Sequence, residues 1–226
     1  MTNLKHIAFI IDGNRRWAKK RGLPAQLGHR EGMKAVERTL LALCEEGVPY
    51  ASFFCFSTEN WKRGKDEIDA LFNLVEEYFD NGLEFFNKNG IKVDIFGDIS
   101  AFPKKMQKVL LNAKEVTASN TKLHAGFCLN YGGKEDIVQA VNKLIASGKK
   151  EVTAADISRS LHTSTYPDPD LLIRTSGEER ISNFQLWQLA YSEMYFPKTL
   201  WPDFDKKQLK KSLKVFSKRN RRFGGN

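Results

Sequence analysis

Short apolar runs alternate along this chain with longer segments of helical period, and this alternation limits the fold more than any other feature. Within the longer segments, apolar residues recur every three or four positions, as an amphipathic helix requires. Strands that alternate with helices are typical of a mostly parallel sheet covered on both faces. We therefore predict a single α/β domain over residues 1–226, with a central sheet of about six strands flanked by helices. The candidate strands are Ile7–Ile11, Ala51–Phe56, Ile91–Phe96, Leu123–Leu129, Leu171–Ile173 and, more weakly, Met194–Phe196.

The predicted helices differ in how clearly their ends are marked. Thr153 and Asp156 have the spacing of a capping box, which predicts a short helix beginning there. A basic segment from Asp205 to Arg222 has its apolar residues on one face and predicts the last helix. Further helices are predicted by the apolar series Met33–Leu43, Ile68–Phe86, Met106–Val116, Ile137–Ile145 and Phe184–Leu189.

Sixteen of the 226 residues are Phe, against six Tyr and four Trp. Phe has no polar group to satisfy, so this excess predicts either a well-filled dry core or an apolar cavity. Hydrophobic residues make up 41% of the chain and charged residues 28%, which are ordinary globular values and exclude a disordered chain.

Three cysteines, Cys44, Cys55 and Cys128, lie far apart and form no CxxC pair. This pattern predicts neither a disulfide framework nor a zinc site. The first apolar run ends before Asp12 and is too short for a signal peptide, and no stretch approaches the length of a membrane span. We therefore expect a soluble cytoplasmic protein with reduced thiols.

The net charge of +9 is concentrated near the C-terminus, where residues 198–226 carry ten Lys and Arg against two Asp. The rest of the chain is nearly neutral, and the basic helix lacks an interleaved series of aromatic residues, so we predict no nucleic-acid partner. Three interpretations of the basic segment stay open: a solvated helix face, a support for a dimer, and a surface attracted to anionic lipid. The third predicts weak, salt-sensitive association with the inner face of the membrane.

Polar motifs follow the predicted strands at the points where the strands end. Because the carboxyl ends of parallel strands meet at one edge of a sheet, these motifs predict a functional rim there. Turns favour Gly, Asn and Asp in any protein, so plain loop chemistry is the alternative. The motifs are Asp12-Gly13-Asn14-Arg15-Arg16-Trp17, Ser57-Thr58-Glu59-Asn60-Trp61, Gly97-Asp98, Asn130-Tyr131-Gly132-Gly133 and Arg174-Thr175-Ser176-Gly177-Glu178.

Two of these motifs predict anion sites, although the chain has neither a Walker loop nor the Rossmann GxGxxG fingerprint. In the first, Gly13 permits close backbone approach at a helix start and Arg16 adds a forked donor. Asp12 is placed to hold magnesium beside the anion, with a simple helix cap as the alternative. In the second, Arg174 and Arg180 suit a phosphate, and surface pairing with the neighbouring glutamates explains them equally well. Two anion sites and one metal position together predict two phosphorylated ligands.

A longer series of motifs runs in order over essentially the whole chain. It consists of Asp12-Gly13-Asn14-Arg15-Arg16-Trp17-Ala18, Gly28-His29, Phe56-Ser57-Thr58-Glu59-Asn60-Trp61-Lys62-Arg63, Asn130-Tyr131-Gly132-Gly133, Leu172-Ile173-Arg174-Thr175-Ser176-Gly177-Glu178, Ser182-Asn183-Phe184, Trp187-Gln188, Trp201-Pro202-Asp203-Phe204 and Arg221-Arg222-Phe223-Gly224-Gly225. This series resembles the cis-prenyltransferases, and in particular the bacterial undecaprenyl diphosphate synthases.

The resemblance implies an enzyme that condenses isopentenyl diphosphate in cis onto an allylic diphosphate, usually farnesyl diphosphate. The implied product is a long polyprenyl diphosphate such as undecaprenyl diphosphate, the precursor of the lipid carrier for cell-wall synthesis. The resemblance also implies magnesium as the cofactor. It implies a homodimer as well, because Arg222-Phe223-Gly224 resembles a C-terminal motif that reaches the neighbouring subunit's site.

The resemblance further implies roles for individual residues. Asp12 corresponds to the essential aspartate that acts with magnesium, and Glu193 to a second magnesium-linked carboxylate. His29 corresponds to a substrate-binding histidine that assists the leaving diphosphate, Asn60 to a proposed proton acceptor and Glu67 to an acid beside the closing loop. The implied binding residues are Gly13, Asn14, Arg15, Arg16 and Trp17 for the allylic diphosphate, Ser57, Thr58, Glu59, Trp61 and Arg63 for the closing loop, and Arg174, Arg180, Ile181 and Ser182 for isopentenyl diphosphate.

A growing chain needs a long apolar channel, and plain core packing is the alternative role for its candidate residues. The candidates are Leu71, Phe72, Val75, Phe79, Leu83, Phe86, Phe53, Phe54, Ile95 and Phe127. Several positions depart from the family pattern: Ala25 replaces an arginine, Gly64 a proline, Asp94 a basic residue and Ala125-Gly126 a Leu-Asn pair. The last two departures are candidates to reshape the channel.

Other functions stay open at the level of the sequence. A magnesium-dependent phosphohydrolase would use Asp12, but Asn14 stands where the second acid of a DxD motif is expected. A non-catalytic subunit of a polyprenyl transferase would usually lack the aspartate, which this chain retains. The chain has no DDxxD motif and no all-helical pattern, which argues against a trans-prenyltransferase.

Overall fold

The candidate apolar runs form one sheet in the computed structural model, which describes residues 4–219. The strands are β1 (His6–Ile10), β2 (Tyr50–Ser57), β3 (Ile91–Phe96), β4 (Leu123–Tyr131), β5 (Leu171–Arg174) and β6 (Glu193–Tyr195). Their order is β3-β4-β2-β1-β5-β6, and every neighbouring pair is parallel. The predicted α/β fold with a parallel six-stranded sheet is confirmed.

Eight α-helices within residues 4–219 connect and cover the strands. They are α1 (Asn14–Lys20), α2 (Ala25–Glu46), α3 (Lys65–Asn81), α4 (Leu83–Lys88), α5 (Lys104–Val116), α6 (Gly133–Ala146), α7 (Ala154–Ser160) and α8 (Lys206–Ser217). The predicted capping box begins α7: the Asp156 carboxylate accepts a hydrogen bond of 3.0 Å from the Thr153 backbone N–H, and the Thr153 hydroxyl accepts from the Asp156 N–H.

Aromatic side chains fill the sheet face that α2 to α5 and α8 cover. The rings of Phe9, Phe53 and Phe127 stack across β1, β2 and β4, with centroids 5.0 and 5.7 Å apart. On the opposite face, Ala8 and Phe184 belong to a second buried cluster. Burial on both faces explains why the strands read as nearly continuous apolar runs.

Two helix predictions are wrong. The segment around Phe184 forms turns, because Ser182, Asn183 and Gln185 have φ angles of 48°, 63° and 42°, which an α-helix does not accommodate. The apolar series that predicted one helix over Ile68–Phe86 is divided between α3 and α4, with a break at Gly82.

The last helix is shorter than predicted, because α8 ends at Ser217. The motif Arg222-Phe223-Gly224 lies outside the described residues. Within residues 4–219, no helix combines the length and the apolar character that crossing a membrane demands.

Candidate active site

A cavity of about 810 Å³ opens at the carboxyl edge of the sheet. Residues that follow β1, β2 and β5 form its polar mouth, and α2 and α3 contribute to its walls. The polar residues of the mouth are Asp12, Gly13, Asn14, Arg15, Arg16, His29, Ser57, Glu59, Asn60, Arg63, Arg174, Arg180, Ser182 and Asn183. All of them except Asn183 are predicted site residues, so the structure brings most of the predicted rim together around one cavity.

The backbone is held in a fixed path at Asp12. Its carbonyl accepts hydrogen bonds from the Trp201 backbone N–H at 3.0 Å and the Thr175 hydroxyl at 2.6 Å. The next residue, Gly13, has a φ of 113°, and a Cβ there would lie 3.0 Å from Leu200 Cδ2. The turn therefore needs glycine, and it fixes the Asp12 carboxylate at the mouth.

The Asp12 carboxylate contacts two arginines. Its Oδ2 accepts a hydrogen bond from Arg174 Nη2 at 3.0 Å and lies 3.2 Å from Arg16 Nη2. Burial acts to raise the pKa of Asp12, but the hydrogen bond and charge of Arg174, with the charge of Arg16, outweigh it and lower the pKa. The carboxylate is therefore ionised at neutral pH.

Arg174 lies deeper than the other arginines of the mouth, with its side chain 5% exposed. Its Nη1 donates to Ser182 Oγ at 2.7 Å and to the Arg180 carbonyl at 2.6 Å, while Nη2 donates to Asp12. Its Nε is buried and has no hydrogen-bond partner among residues 4–219. Arg174 thus joins the turn after β1 to the segment after β5, and its Nε–H is left without a partner in the described part of the chain.

Arg16 and Arg180 both pair with Glu178. Arg16 also donates to Ser176 Oγ at 2.5 Å. Their side chains are 43% and 60% exposed, so they can exchange these partners for an incoming anion at little cost. Five arginines line the cavity against two carboxylates, which makes the mouth attractive to anions.

His29 projects from α2 into the cavity, and its buried Nε2 has no hydrogen-bond partner within the described chain. Burial, reinforced by the positive charge of Arg63, lowers the pKa of His29 to about 4. The imidazole is therefore neutral at pH 7, and Nε2 can donate or accept a hydrogen bond according to its tautomer.

The segment after β2 is a 3-10 helix, Thr58–Lys62, capped by its own residues. Asn60 Oδ1 accepts a hydrogen bond of 3.1 Å from the Ser57 backbone N–H. Arg63 donates to Glu67 Oε1 at 3.1 Å, which ties the segment to the first turn of α3. The amide oxygen of Asn60 therefore serves the shape of the loop.

Two predicted tryptophans brace the mouth and do not line it. The indole N–H of Trp17 donates to Asp203 Oδ1 at 2.7 Å, and that of Trp61 donates to Asn130 Oδ1 at 2.8 Å. Asn130 in turn donates to the Asp98 carbonyl at 2.7 Å. The motifs after β3 and β4 thus support the loop after β2 from behind.

Glu193 does not join the mouth, and neither do Thr58 and Ile181. Glu193 begins β6 and pairs with Leu171 at the amino end of β5, whereas the Asp12 cluster lies at the carboxyl end. Its Oε2 accepts a hydrogen bond of 2.7 Å from Arg219 Nη1. The two carboxylates predicted to act with magnesium are therefore not adjacent within this chain.

Apolar side chains from the sheet and from α2 and α3 line the cavity below its mouth. Of the predicted channel residues, Phe54, Leu71, Val75, Phe79 and Phe127 line it. The other predicted channel residues pack in the hydrophobic core, which was the alternative role considered for them. They are Phe53, Phe72, Leu83, Phe86 and Ile95.

Several residues of the cavity wall are not predicted from the sequence, namely Ile10, Ile11, Met33, Cys55, Leu74 and Leu129. Cys55 lies where the register of β2 against β4 shifts, and such an irregularity cannot be read from an apolar run. Asn183 is a further site residue that was not predicted, although it belongs to the motif Ser182-Asn183-Phe184. Its Nδ2 donates to Glu59 Oε1 at 2.9 Å, so it links the segments after β2 and β5.

The departures from the family pattern lie away from the cavity, because Ala25, Gly64, Asp94, Ala125 and Gly126 are not among its lining residues. Asp94 is buried and accepts a hydrogen bond of 3.1 Å from the Tyr166 hydroxyl. A Cβ at Gly126 would lie 2.2 Å from the ring of Phe96, so the glycine makes room for that ring. Asp94 and Ala125-Gly126 therefore do not contact the channel directly, and an effect of these residues on its shape stays a prediction.

Magnesium is the cofactor that the resemblance implies. Among residues 4–219, no three His, Cys, Asp or Glu side chains form a group that could hold a metal by protein ligands alone. Magnesium usually binds through one or two carboxylates together with substrate phosphates and water. The ionised Asp12 at the mouth fits that mode, whereas Glu193 of the same chain does not reach it.

Comparison with known proteins agrees with this architecture. The chain matches the family model described as "Putative undecaprenyl diphosphate synthase" over residues 10–224. An isoprenyl transferase of Fusobacterium nucleatum is 48% identical over 221 residues, which cover 98% of this chain and 96% of the relative. A ditrans,polycis-undecaprenyl-diphosphate synthase ((2E,6E)-farnesyl-diphosphate specific) of Vibrio vulnificus is 44% identical, over 97% of this chain and 90% of the relative.

Among solved structures, lavandulyl diphosphate synthase from Lavandula x intermedia, in complex with dimethylallyl diphosphate, is similar with a TM-score of 0.94. It is 34% identical, and the match covers 98% of both chains. This chain therefore belongs to the undecaprenyl diphosphate synthase family, the group of cis-prenyltransferases that its sequence resembles.

Proposed function

We propose that this protein condenses isopentenyl diphosphate in cis onto an allylic diphosphate, with farnesyl diphosphate as the primer. The product is a long polyprenyl diphosphate such as undecaprenyl diphosphate. The observation that carries the proposal is a cavity of about 810 Å³ that has five arginines at its mouth and apolar side chains on its deeper walls. Forked cationic donors suit diphosphates, and hydrocarbon tails gain free energy on burial. The name of the V. vulnificus relative supports farnesyl diphosphate as the primer.

The reaction breaks the bond between the allylic carbon and the diphosphate oxygen, and the diphosphate leaves with the electron pair. The double bond of isopentenyl diphosphate forms the new carbon–carbon bond, and loss of a proton restores a double bond. Magnesium, when bound, neutralises charge on the departing diphosphate. Asp12 would hold it together with phosphate oxygens.

The turn after β1 binds the allylic diphosphate. Arg15 and Arg16 supply positive charge, and the backbone of Gly13 and Asn14 permits close approach. Trp17 does not line the cavity; its hydrogen bond to Asp203 holds α1, and with it the turn, in place. His29, neutral and unpartnered at Nε2, forms a hydrogen bond with the leaving diphosphate.

The segment after β5 binds isopentenyl diphosphate through Arg180, Ser182 and the free Nε–H of Arg174. Holding the two diphosphates beside each other brings the reacting carbons together, and such positioning supplies much of the acceleration. Ser57, Glu59 and Arg63 close over the reacting ends. A neutral amide is a weak base, and the Asn60 oxygen already accepts from Ser57, so its role as proton acceptor stays a prediction.

The test is to incubate purified protein with farnesyl diphosphate, isopentenyl diphosphate and magnesium, and to resolve the products by size. We expect elongated polyprenyl diphosphates, and Asp12→Ala should abolish them. Asp69→Ala, which removes an exposed carboxylate from α3, is the matched control and should retain the wild-type rate. No elongation by the wild type, or release of inorganic phosphate from simple phosphate esters, would overturn the proposal.

We also propose that the protein is a homodimer in which the C-terminal motif of one subunit serves the site of the other. Glu193 pairs with Arg219, which lies three residues before Arg222 of that motif. If the motif reaches the partner's site, Glu193 would exert its predicted magnesium-linked role near the contact between the subunits. Mixing an Asp12→Ala protein with an Arg222→Ala protein tests this arrangement. Mixed dimers should regain part of the activity that each variant lacks, and sedimentation should give a dimer mass.

The basic helix α8 supports weak association of a cytoplasmic protein with anionic membrane. Leu209 is buried in the core, so the apolar face of α8 is not free to insert into lipid. Lys207, Lys211 and Lys218 are exposed, and lysines near an anionic surface contribute about 1 kcal/mol each. Co-sedimentation with anionic vesicles should be lost at high salt. Binding that ignores anionic lipid at low salt would contradict this proposal.

A further inference from the structure

The segment after β5 turns sharply at the residues proposed to bind isopentenyl diphosphate. Ser182 and Asn183 have φ angles of 48° and 63°, in the left-handed region that residues with a side chain seldom adopt. The turn directs the Ser182 hydroxyl to Arg174 Nη1, from which it accepts a hydrogen bond of 2.7 Å. Because the backbone does not favour this turn by itself, contacts with neighbouring segments must hold it in place.

Asn183 fixes this turn to the start of α6. Its carbonyl accepts a hydrogen bond of 2.6 Å from the Gly133 backbone N–H, and its Oδ1 accepts one of 2.9 Å from the Lys134 N–H. These are among the N–H groups that a helix cannot satisfy with its own carbonyls, and the N-cap residue, Gly132, has no side chain to serve them. Asn183 therefore caps α6 from a different segment of the chain.

The amide nitrogen of Asn183 connects the same turn to the segment after β2. Nδ2 carries two hydrogens, and it donates to Glu59 Oε1 at 2.9 Å and to Glu135 Oε2 at 3.1 Å. Burial acts to raise the pKa of Glu59, but hydrogen bonds, that of Asn183 foremost, outweigh it and lower the pKa. Asn183 thus holds a charged carboxylate of the cavity mouth and lies between it and the carboxylate of Glu135.

The segments after β2, β4 and β5 converge at Gly132. A Cβ at this position would lie 2.8 Å from Asn183 Nδ2 and 2.8 Å from Thr58 Oγ1. Thr58 begins the 3-10 helix after β2, and Gly132 follows directly after β4. Only glycine lacks the Cβ that would crowd these side chains, so the backbone here is fitted to the link between Asn183 and Glu59.

We propose that Asn183 is a positioning residue for the condensation: its amide holds Glu59, and with it the segment after β2, beside the segment that binds isopentenyl diphosphate. This inference rests on the proposed function, which assigns the two segments to the substrates. Asn183 acts through Glu59 and Ser182, which its side chain and its backbone fix. When isopentenyl diphosphate orders the turn at Ser182, Asn183 transmits that order to the segment that closes over the reacting carbons.

The first test is Asn183→Asp, which removes the donor and keeps the cap. An aspartate oxygen still accepts from the Lys134 N–H and suits the positive end of a helix, so the urea midpoint should change little. The new carboxylate repels Glu59, and we expect the KM for isopentenyl diphosphate to rise by about tenfold or more, while the KM for farnesyl diphosphate stays within about twofold. An unchanged KM for isopentenyl diphosphate would overturn the proposal.

Two double variants separate the link from the added charge. Glu59→Gln supplies an N–H that can donate to the new carboxylate, and Glu135→Gln removes the same charge from the other acceptor of the amide. Combined with Asn183→Asp, Glu59→Gln should lower the raised KM for isopentenyl diphosphate by at least about threefold, whereas Glu135→Gln should lower it little. Equal recovery by both, or recovery by neither, would overturn the proposal.

A further measurement uses the wild-type protein and does not depend on the folding of a variant. Isopentenyl diphosphate and magnesium without an allylic primer cannot react, so binding alone is followed by amide hydrogen exchange. Slower exchange over residues 57–63, at the concentration that gives the full change over residues 180–185, supports the link. Exchange that changes over 180–185 and not over 57–63 would overturn it. No change in either segment, together with no elongation of any primer, would instead remove the proposed function itself.

Discussion

Arg174 donates one hydrogen bond of 3.0 Å to the Asp12 carboxylate and another, of 2.7 Å, to the Ser182 hydroxyl. One buried guanidinium thus connects the turn after β1 with the segment after β5. In the proposed reaction these two segments hold the two diphosphates, so Arg174 fixes the distance between the sites. It also keeps Asp12 ionised, because its hydrogen bond and charge lower the pKa of that carboxyl against the effect of burial.

Replacing Arg174 by lysine should distinguish the effect of its positive charge from the effect of its hydrogen-bonding geometry. Lysine keeps the charge but cannot present the planar fork that reaches Asp12, Ser182 and the Arg180 carbonyl together. We expect kcat to fall by about 10²-fold or more, as when a preorganised donor is lost. The free energy of unfolding should fall by about 1–3 kcal/mol, because buried acceptors lose their donors. Steady-state kinetics and urea unfolding measure the two effects.

Arg180→Lys is the matched control for stability. The Arg180 side chain is 60% exposed, and exposed substitutions usually change the free energy of unfolding by less than about 0.5 kcal/mol. Equal destabilisation by both lysine variants would contradict the assignment of Arg174 as the buried link.

Gly13→Ala should be destabilising, because alanine does not adopt a φ of 113° without strain and its Cβ would lie 3.0 Å from Leu200. Strain of this kind costs about 1–3 kcal/mol. Activity should fall as well, since the turn positions Asp12. Thermal unfolding and product formation check the two effects. A variant with the wild-type melting temperature would show that the turn tolerates a side chain.

Gly64→Pro should raise the free energy of unfolding, whereas Gly13→Ala should lower it. Gly64 has φ −60° and ψ 146°, which proline adopts without strain, and a Cβ there meets nothing within 4 Å. Arg63 before it is extended, as a residue before proline must be. We expect a gain of about 0.4–1 kcal/mol from the reduced freedom of the unfolded chain, measured by urea unfolding. A loss of stability would mean that the loop after β2 needs conformations other than this one.

The sequence predicted those features of the fold and the site that depend on the periodicity of apolar residues along the chain. Apolar runs such as Ile91–Phe96 correctly predicted strands, because a strand of a parallel sheet is buried on both faces. The polar motifs that follow the strands then lie together, because the carboxyl ends of parallel strands meet at one edge of the sheet. The sequence did not predict the directions of individual side chains. Trp17 belongs to the motif after β1, but its indole N–H donates to Asp203 and the side chain does not line the cavity. The turns near Asn183 and the bulge near Cys55 depend on backbone angles and register, which periodicity does not encode.

The stability of the fold should depend on pH through His6. This residue is 1% exposed, its Nδ1 lies 2.6 Å from the Pro167 carbonyl, and its Nε2 lies 3.0 Å from Ser52 Oγ. A carbonyl only accepts, so Nδ1 carries the proton and Nε2 is the acceptor nitrogen of the neutral ring. Burial, opposed by the Pro167 hydrogen bond and the charge of Asp170, lowers the pKa of His6 from 6.5 to about 4.

The unfolded chain therefore binds this proton near pH 6.5, and the folded chain binds it only near pH 4. The contribution of His6 to the free energy of unfolding should be greatest above pH 6.5, fall as the pH drops from 6.5 to 4, and level off below that. At about 1.4 kcal/mol per pKa unit, His6 accounts for a loss of about 3 kcal/mol. His29, whose pKa is also lowered to about 4, adds to the loss over the same range. Urea unfolding between pH 4 and pH 7.5 should show a shallower decline in His6→Gln than in wild type. Parallel declines in the two proteins would mean that His6 is already protonated in the fold.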